Sequence, residues 1–307
     1  MKILALGEAL IDVVDKDGEV SEHVGGSLLN VACGVARLGH DSTIAAWIGQ
    51  DQRGDRLRQW AHASGATFAP GSDGAAQTPV AYATLDAVGR ATYTFDLTWD
   101  VPDLDVGSYG HVHTGSIAAT LEPGGTKVVD VVRRAAGTVS YDPNVRPALM
   151  GRPADVVARV EELVAASDLV KASDEDVHWL YPSRTMADIA RRWLDLGTGL
   201  VVITKGPEGA SVHLGSGESY DEPTLPVTIG DTVGAGDSFM AGLIGRLVDL
   251  GLLGGERSGE RLRAATWDEL RPAILQAIAT STITVSRQGA YAPTPDEVTE
   301  LLQGLGV

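Results

Sequence analysis

Short apolar runs and longer stretches with helical periodicity alternate along most of the chain. Each run is of strand length, and the stretch after it repeats its apolar residues with the spacing of an amphipathic helix. This order predicts an α/β fold. Strands are predicted at residues 2–7, 10–15, 42–49, 111–116, 138–142, 168–173, 200–205 and 210–214, and helices at 27–38, 52–64, 123–136, 154–166, 186–196 and 269–285.

Two segments with strict alternation, 80–86 and 91–97, interrupt this order. They predict an antiparallel hairpin with its turn at residues 87–90. A hairpin added to an α/β body could be a lid that excludes water from a site, a dimer surface, or both. Trp99 and Phe95 could line a pocket there, although large aromatic residues more often serve in packing. Residues 251–268 are expected to form a flexible loop.

Composition favours one packed unit. The chain has 307 residues, a length that α/β folds reach as a single domain, and 44% of them are hydrophobic. We expect a soluble protein, because no apolar run approaches the ~20 residues of a membrane span. Glu8 and Asp12 interrupt the first apolar stretch, which favours a strand over a signal peptide. Cys33 is the single cysteine, so no internal disulfide can form and a cytoplasmic location is expected.

Charge and histidine placement narrow the range of partners. The net charge is −17, from 24 basic and 41 acidic residues. Such a surface repels nucleic acid and anionic membranes, so we expect neither as a partner. An anionic nucleotide would need local help from amides, lysines or Mg²⁺. His111 and His113 share one face of a predicted strand, but no third ligand is in reach and we do not expect a metal site there.

The most specific chemistry lies in segment 231–243, where a glycine-rich turn opens a helix. Such a turn directs unpaired N–H groups and the positive end of the helix dipole at one point, which suits an anion. The amides of Gly234, Ala235 and Gly236 could therefore converge on a phosphoryl group. Asp237 is either a plain helix cap or a base that takes a proton from a hydroxyl attacking phosphorus.

A second glycine-led helix, in segment 25–39, could bind a sugar. Gly25 and Gly26 let a ligand approach the backbone, and Asn30 lies one turn into a helix that Ser27 could cap. Asp12, at the end of a strand, could share this pocket and accept two hydrogen bonds from adjacent hydroxyls. Taken singly, Asn30 could also be a surface amide and Asp12 a turn residue.

Polar groups also follow later strands. Asp142, Asn144 and Arg146 cluster at a strand's carboxyl end, where open α/β sheets bind ligands, although turn chemistry would also explain Asp-Pro-Asn. The acidic run 174–176 either satisfies a helix dipole or holds Mg²⁺ through water. The turn at 206–209, after a buried strand, could cradle nucleotide phosphates.

Segments 25–39 and 231–243 together resemble the two signature motifs of the ribokinase-like (PfkB) carbohydrate kinases, in the same order and with the same wide spacing. The resemblance covers the whole chain. It implies one α/β domain over residues 1–307, with a mainly parallel central sheet flanked by helices and a small β lid formed roughly by 11–24 and 78–98. It also implies a small sugar and ATP as ligands, with Mg²⁺ and, as a candidate, K⁺.

The resemblance further implies a role for each matching residue. Asp237 would be the base, and Gly234, Ala235 and Gly236 the anion hole. The sugar ligands would be Asp12, Gly25, Gly26, Asn30 and Arg146. The nucleotide contacts would be Lys171, Ser173, Thr204, Gly206 and Gly209. The metal ligands would be Asp176 for Mg²⁺ through water, and Asp231, Val233, Thr284, Arg287 and Gly289 for a monovalent cation.

Two departures from the family pattern stand out. The family's usual Asn-x-x-Glu is replaced at 173–176, where Ser173 is a weaker stand-in for Asn and Asp176 is shorter than Glu. Pro293 falls where some relatives place a hydroxyl ligand for the cation.

Segments 140–150 and 171–180 look like those of the fructokinase branch. The 2-keto-3-deoxygluconate kinases carry a similar Asp-Pro-Asn-x-Arg, so Arg146 could instead meet a substrate carboxylate. Arg90, in the predicted hairpin turn, is the only candidate for a second arginine. Fructose is therefore the first expectation and the acid sugar the second.

These features predict direct transfer of the γ-phosphoryl group of Mg·ATP to a primary hydroxyl, with Asp237 as the base. The chain contains no Walker Gly-x-x-x-x-Gly-Lys-Ser/Thr run, which disfavours a P-loop enzyme. Alternatives are a ribokinase, a nucleoside kinase in which Trp99 stacks on the nucleobase, or a noncatalytic sugar sensor. A sensor has no need for a catalytic base beside an anion hole. The lid also makes a homodimer a reasonable expectation.

Overall fold

The computed structural model describes residues 1–16, 18–85 and 91–306. In this part of the chain, thirteen strands form two sheets. The strands are β1 (Lys2–Leu6), β2 (Leu10–Lys16), β3 (Glu19–Gly25), β4 (Asp41–Ala45), β5 (Thr67–Phe68), β6 (Val80–Leu85), β7 (Ala91–Asp96), β8 (His111–Gly115), β9 (Thr138–Asp142), β10 (Leu169–Ser173), β11 (Leu200–Thr204), β12 (Ala210–Leu214) and β13 (Ser219–Glu222).

The main sheet is mostly parallel. Its strands follow the order β13-β12-β11-β10-β9-β8-β1-β4-β5, and only the pairs of β12 with β11 and β13 are antiparallel within the described residues. The central strands are buried along nearly their whole length, as expected when helices cover both faces of a parallel sheet. The predicted α/β class and the parallel central sheet are both confirmed.

Helices pack on both faces of this sheet. Along β1, Leu4 and Leu6 contact one hydrophobic cluster, whereas Ile3 and Ala5 face the opposite side, which follows from the twofold period of a strand. The helices are α1 (Ser27–Arg37), α2 (Gln52–Ala63), α3 (Gly124–Arg134), α4 (Pro147–Met150), α5 (Pro153–Ala165), α6 (Asp174–Leu180), α7 (Met186–Asp195), α8 (Ala235–Asp249), α9 (Ser258–Ala264), α10 (Trp267–Val285) and α11 (Pro295–Gly304).

The second sheet is small and has the strand order β3-β2-β6-β7. Strands β6 and β7 are antiparallel, as predicted, and β2 joins β6 in parallel. This sheet is tied to the main body because Glu22 of β3 accepts hydrogen bonds from Arg53 and Arg56 of α2. The predicted turn at 87–90, with Arg90, lies outside the described residues.

Two predictions about local structure are wrong. Segment 251–268 is not one flexible loop, because it contains α9 and the start of α10, where Thr266 and Glu269 form a capping box. The short α9 buries Leu262, but the glycine and charged residues around it hide the helical pattern in the sequence. Ser27 does not cap α1, since Gly26 is the N-cap residue. Among the described residues, no helix is both long and apolar enough to cross a membrane.

Candidate active site

The candidate site lies along the edge of the main sheet where β1, β8, β9, β10 and β11 end. These strands are parallel, so their carboxyl ends share one edge. Glu8 follows β1, Asp142 ends β9, and Ser173 and Thr204 are paired at the ends of β10 and β11. Ligands of open α/β sheets bind at this edge.

Helix α8 brings the glycine-rich turn to this edge. Gly234 is its N-cap residue with φ 75°, a left-handed conformation that favours glycine, and an added Cβ would lie 2.6 Å from Ala290 Cβ. Within the described residues, the N–H groups of Gly234 and Gly236 have no acceptor, whereas that of Ala235 donates to the Thr232 carbonyl over 3.2 Å. Two of the three predicted anion-hole amides are thus unpaired, and the third closes the turn.

Asp237, in the first turn of α8, is only 8% exposed. Both donors to its carboxylate come from α1: Ser27 Oγ donates to Oδ1 over 2.7 Å, and Asn30 Nδ2 donates to Oδ2 over 2.8 Å. Ser27 and Asn30 share a helix face because they are three residues apart. Helices α1 and α8 approach closely, since an added Cβ at Gly34 would lie 2.6 Å from Ala241 Cβ. The two signature segments therefore meet at Asp237.

Asp12 on β2 lies diagonally across from Gly25, the last residue of β3, and its carboxylate reaches over that glycine. An added Cβ at Gly25 would lie 2.0 Å from Asp12 Oδ2, so any side chain at position 25 would displace this carboxylate. Burial raises the pKa of Asp12, and the charges of His23 and Arg146 offset part of that rise. The carboxylate is half-buried and remains open to a polar ligand.

Glu8 lies behind Gly26, at the start of α1. Gly26 has φ 111°, and an added Cβ would lie 2.5 Å from the Glu8 carbonyl oxygen. Glu8 Oε1 accepts a hydrogen bond from the Ser27 amide over 3.3 Å, while Oε2 has no partner among the described residues. Burial raises the pKa of Glu8 to about 7, against smaller opposing effects that include hydrogen bonds and the charge of Arg146.

Arg146 lies at the exposed start of α4. Its Nη1 donates to the carbonyls of Asn144 and Val145 over 3.2 and 3.1 Å. Its charge lowers the pKa of both Asp12 and Glu8, against the effect of burial, so Arg146 lies within electrostatic range of both carboxyl groups.

Lys171 and Asp142 form a buried ion pair of 2.9 Å, with side-chain exposures of 4% and 2%. Burial raises the pKa of Asp142 to about 6, against the opposing charge of Lys171. Burial alone would lower the pKa of Lys171, but the carboxylates of Asp142 and Asp176 raise it, so the ammonium stays charged. An added Cβ at Gly236 would lie 3.0 Å from Lys171 Nζ. Lys171 therefore lies under the glycine-rich turn, held by Asp142.

Ser173 and Asp176 form a capping box at the start of α6. Asp176 Oδ2 accepts a bond from the Ser173 amide over 2.8 Å, and Oδ1 accepts one from the Val145 amide over 2.7 Å. The carboxylate is 7% exposed and links α6 to the turn after β9. Each oxygen already has a backbone donor, a structural role that sequence reasoning did not assign.

The predicted nucleotide residues of β11 and the next turn differ in exposure. Thr204 is half-buried and Gly206, with φ 52°, is exposed. Gly209 is buried, and an added Cβ there would lie 2.1 Å from the Glu222 carbonyl oxygen. This close approach to β13 accounts for a glycine at position 209 without any ligand.

The predicted monovalent-cation residues lie where the turn before α8 meets the turn after α10. Asp231 Oδ1 accepts a bond from the Val233 amide over 3.1 Å, and Oδ2 accepts one from the Gly289 amide over 2.9 Å. These bonds lower the pKa of Asp231, and the bond from the Gly289 amide has the largest effect. Thr284 is fully buried behind the two turns, where its Oγ1 lies 2.8 Å from the Tyr291 carbonyl oxygen.

The donor set suits a hard cation only in part. An ionised carboxylate has about four acceptor positions, so Asp231 keeps free lone pairs beside its two amide bonds. The Arg287 guanidinium lies 5.7 Å from the Tyr291 ring centroid, and only its backbone carbonyl could serve a cation. In the part of the chain that the structure describes, no group of three or more histidine, cysteine, aspartate or glutamate residues could hold a metal ion.

Sequence reasoning missed three features of this site. It did not predict the hydrogen bond from Ser27 to Asp237, although the spacing puts Ser27 and Asn30 on one helix face. It did not pair Lys171 with Asp142, and it did not single out Glu8 as a buried carboxyl group. His111 and His113 are buried, and both ring nitrogens of His111 and Nδ1 of His113 bond hydroxyls of the neighbouring β9.

Comparison with known proteins gives concordant results. The family model described as pfkB family carbohydrate kinase matches residues 1–297. A fructokinase from Rhizobium leguminosarum bv. trifolii is 34% identical over 261 residues, which cover 80% of this chain and 79% of that protein.

Solved structures agree in fold. A fructokinase from Xylella fastidiosa with bound ATP superposes with a TM-score of 0.84 at 23% identity, over 100% of this chain and 99% of that one. A fructokinase variant from Vibrio cholerae O395, in fructose, ADP and potassium ion bound form, gives a TM-score of 0.79 at 23% identity, over 98% of each chain. Both likenesses extend over nearly the whole architecture.

Proposed function

Because this chain belongs to the pfkB family of carbohydrate kinases, and is therefore a phosphotransferase that acts on a sugar hydroxyl, we propose that it is an ATP-dependent fructokinase. Support comes from the fructokinase relatives and from the Asp-Pro-Asn-x-Arg turn of residues 142–146. The observation that carries the mechanism is Asp237, a buried carboxylate at a helix start beside unpaired amides.

In the proposed reaction, Asp237 takes the proton of a primary hydroxyl of the sugar. That oxygen attacks the γ-phosphorus of Mg·ATP in line, the bond to the β-phosphate oxygen breaks, and ADP leaves. The amides of Gly234 and Gly236, with that of Ala235 after a small rotation of the turn, bind the charge that develops on the phosphoryl oxygens. Mg²⁺, bound to the phosphates, supplies further charge neutralisation.

The remaining site residues divide by ligand. We assign Asp12, Gly25, Gly26, Asn30 and Arg146 to the sugar, and Thr204, Gly206, Gly209, Lys171 and Ser173 to the nucleotide. For Lys171, burial under the glycine turn favours the phosphate end of the nucleotide over the base. Asp176 remains the candidate for Mg²⁺ through water. The candidates for K⁺ are Asp231 with the carbonyls of Val233, Thr284, Arg287 and Gly289, and the Vibrio cholerae fructokinase with potassium ion supports this assignment.

The second sheet is proposed to act as the lid, and its edge to form a homodimer. Strand β3 is an edge strand, and Val20 on it is 64% exposed, so an unpaired and partly apolar edge is open to a second copy. Light scattering that gives the mass of a monomer at all concentrations would refute the dimer. A cytoplasmic location is also proposed, supported by the buried free thiol of Cys33.

A 2-keto-3-deoxygluconate kinase is the second candidate. It is favoured by Arg146, whose exposed guanidinium faces Asp12 and could pair with a substrate carboxylate. Arg90, the candidate for a second arginine, lies outside the described residues.

The test is an ADP-release assay with Mg·ATP against fructose, 2-keto-3-deoxygluconate, ribose, adenosine and no sugar, each with and without K⁺. The highest kcat/KM with fructose supports the proposal, and a higher value with the acid sugar supports the second candidate. Asp237→Asn should lower kcat by about 10²- to 10⁴-fold while the fold is kept. Tight sugar binding without ADP release would instead indicate a sugar sensor.

A further inference from the structure

Asp237 receives a chain of hydrogen bonds that starts at the turn after β9. Asn144 Nδ2 donates to Ser27 Oγ over 2.8 Å, and Ser27 Oγ donates to Asp237 Oδ1 over 2.7 Å. Asn144 belongs to that turn, Ser27 to α1 and Asp237 to α8. Three separate parts of the chain thus converge on one carboxylate oxygen.

The direction of these bonds follows from the number of protons. A serine hydroxyl has one proton, and the amide nitrogen of an asparagine side chain can only donate. Because Asn144 donates to Ser27 Oγ, the serine accepts at that position and its own proton remains for Asp237. The ionised Asp237 carboxylate can only accept, and the bond from Asn144 fills an acceptor position of Ser27 Oγ, so both partners favour the orientation in which Ser27 donates to Asp237.

The turn holds Asn144 firmly. Its φ is 37°, a positive value that asparagine tolerates better than most residues. Its backbone amide donates to Asp142 Oδ1 over 3.2 Å, and Asp142 Oδ2 accepts from Lys171 over 2.9 Å. The position of Asn144 is therefore anchored in the buried ion pair.

We propose that Ser27 and Asn144 are positioning residues that aim the Asp237 carboxylate at the acceptor hydroxyl. The proposal rests on the proposed role of Asp237 as the base. With Ser27 on Oδ1 and Asn30 on Oδ2, the carboxylate has one defined orientation, and its remaining lone pairs face outward for the hydroxyl proton. The Asp-Pro-Asn turn then serves to place the base and not to contact the sugar.

Charged groups from three other elements also face Asp237. They are Glu8 after β1, Asp142 at the end of β9 and Lys171 on β10. Neither Ser27→Ala nor Asn144→Gly changes any of these charges. A change in the pH profile of Ser27→Ala therefore reports the loss of the hydrogen bond to Asp237.

The first measurement is the pH dependence of kcat/KM for wild type and Ser27→Ala. We expect kcat/KM to fall by about 10- to 100-fold, the effect of losing one hydrogen bond to a charged group. The loss should lie in kcat, with the sugar KM nearly unchanged. The pH profile of Ser27→Ala should differ from that of wild type, because the lost bond acts on the carboxylate and leaves the other charges unchanged.

A matched pair of variants at position 144 tests whether the Ser27 hydroxyl must donate its proton to Asp237. Glycine and aspartate both accept the positive φ at this position. Asn144→Gly leaves Ser27 free to donate to Asp237, so kcat/KM should fall by at most about fivefold. Asn144→Asp keeps the shape but replaces the donor to Ser27 Oγ by an acceptor that competes with Asp237 for the Ser27 proton. It also adds a negative charge near Asp237, so the loss should be at least that of Ser27→Ala. Circular dichroism checks that each variant is folded.

Equal activity of the two Asn144 variants would overturn the proposal. A raised sugar KM in Asn144→Gly with an unchanged pH profile would also overturn it, because Asn144 would then be a sugar ligand. If the wild type phosphorylates no sugar, the proposed function fails separately. The positioning is then read by ¹³C NMR titration of the Asp237 carboxyl, assigned with Asp237→Asn. A midpoint that is the same in wild type and Ser27→Ala would refute it.

Discussion

Replacing Glu8 by glutamine should make the protein more stable at alkaline pH. Glu8 is 8% exposed and its Oε2 has no partner among the described residues, so its charged form lacks solvation. Burial is the largest effect on this group and raises its pKa from 4.5 to about 7. Glutamine has nearly the same shape, keeps an oxygen for the Ser27 amide and carries no charge to desolvate.

The sign of the effect follows from proton binding. Between pH 4.5 and about 7 the folded protein holds the Glu8 proton and the unfolded chain has released it. The free energy of unfolding therefore falls as the pH rises through this window. At about 1.4 kcal/mol per pH unit, the full change is about 3 kcal/mol. Glu8→Gln should match wild type near pH 4.5 and exceed its stability by up to about 3 kcal/mol at pH 8.

The assay is urea unfolding, followed by tryptophan fluorescence, at several pH values between 5 and 8 and without ligands. Subtracting wild type from Glu8→Gln cancels the other titrating groups. Glu19→Gln, a change of one exposed carboxylate on β3, controls for the loss of a charge. A difference between Glu8→Gln and wild type that stays constant over this pH range would refute the reasoning.

Three further predictions concern the glycine-rich turn, the buried ion pair of the site and a buried histidine of β8. Gly234→Ala should lower kcat, because a Cβ at φ 75° is strained and would lie 2.6 Å from Ala290 Cβ; near-normal steady-state rates would contradict this. Lys171→Met should lower the free energy of unfolding by about 3–5 kcal/mol, because it leaves Asp142 charged and unpaired. In thermal unfolding, the double variant with Asp142→Asn should regain much of this lost stability. Burial lowers the pKa of His113 from 6.5 to about 3, so wild type should lose stability as the pH falls below 6.5. In urea unfolding, the free energy of unfolding of His113→Gln should fall less steeply with decreasing pH.

Local patterns in the sequence were sufficient for most of the architecture. Strand β9 was predicted with its observed bounds, because Val139 and Tyr141 alternate with polar residues between a predicted helix and the Asp-Pro-Asn turn. Short α9 was missed, since Leu262 is its one buried leucine and the glycine and charged residues around it hide the helical period. The edge strand β13 was missed as well, because only its last residue, Glu222, is buried and periodicity is weak.

For the site, the sequence by itself determined which groups could do chemistry. The glycine turn and Asp237 were identified from residue type and spacing alone, because the conformation of a helix start depends on adjacent residues. Residue type and position also suggested Asp12 and Asn30 as sugar ligands, and the family likeness then favoured this role over the structural alternatives. Apart from Asp12, these residues belong to two short segments whose local structure carries the signal.

Only the tertiary structure decided which partner each group has. Ser27 and Asp237 are 210 residues apart in sequence, and Lys171 and Asp142 are 29 apart, so no local pattern links them. Burial of Glu8 depends on how α1 packs against the end of β1. Hydrogen bonds and desolvation act between neighbours in space, and spatial neighbours are set by the whole fold.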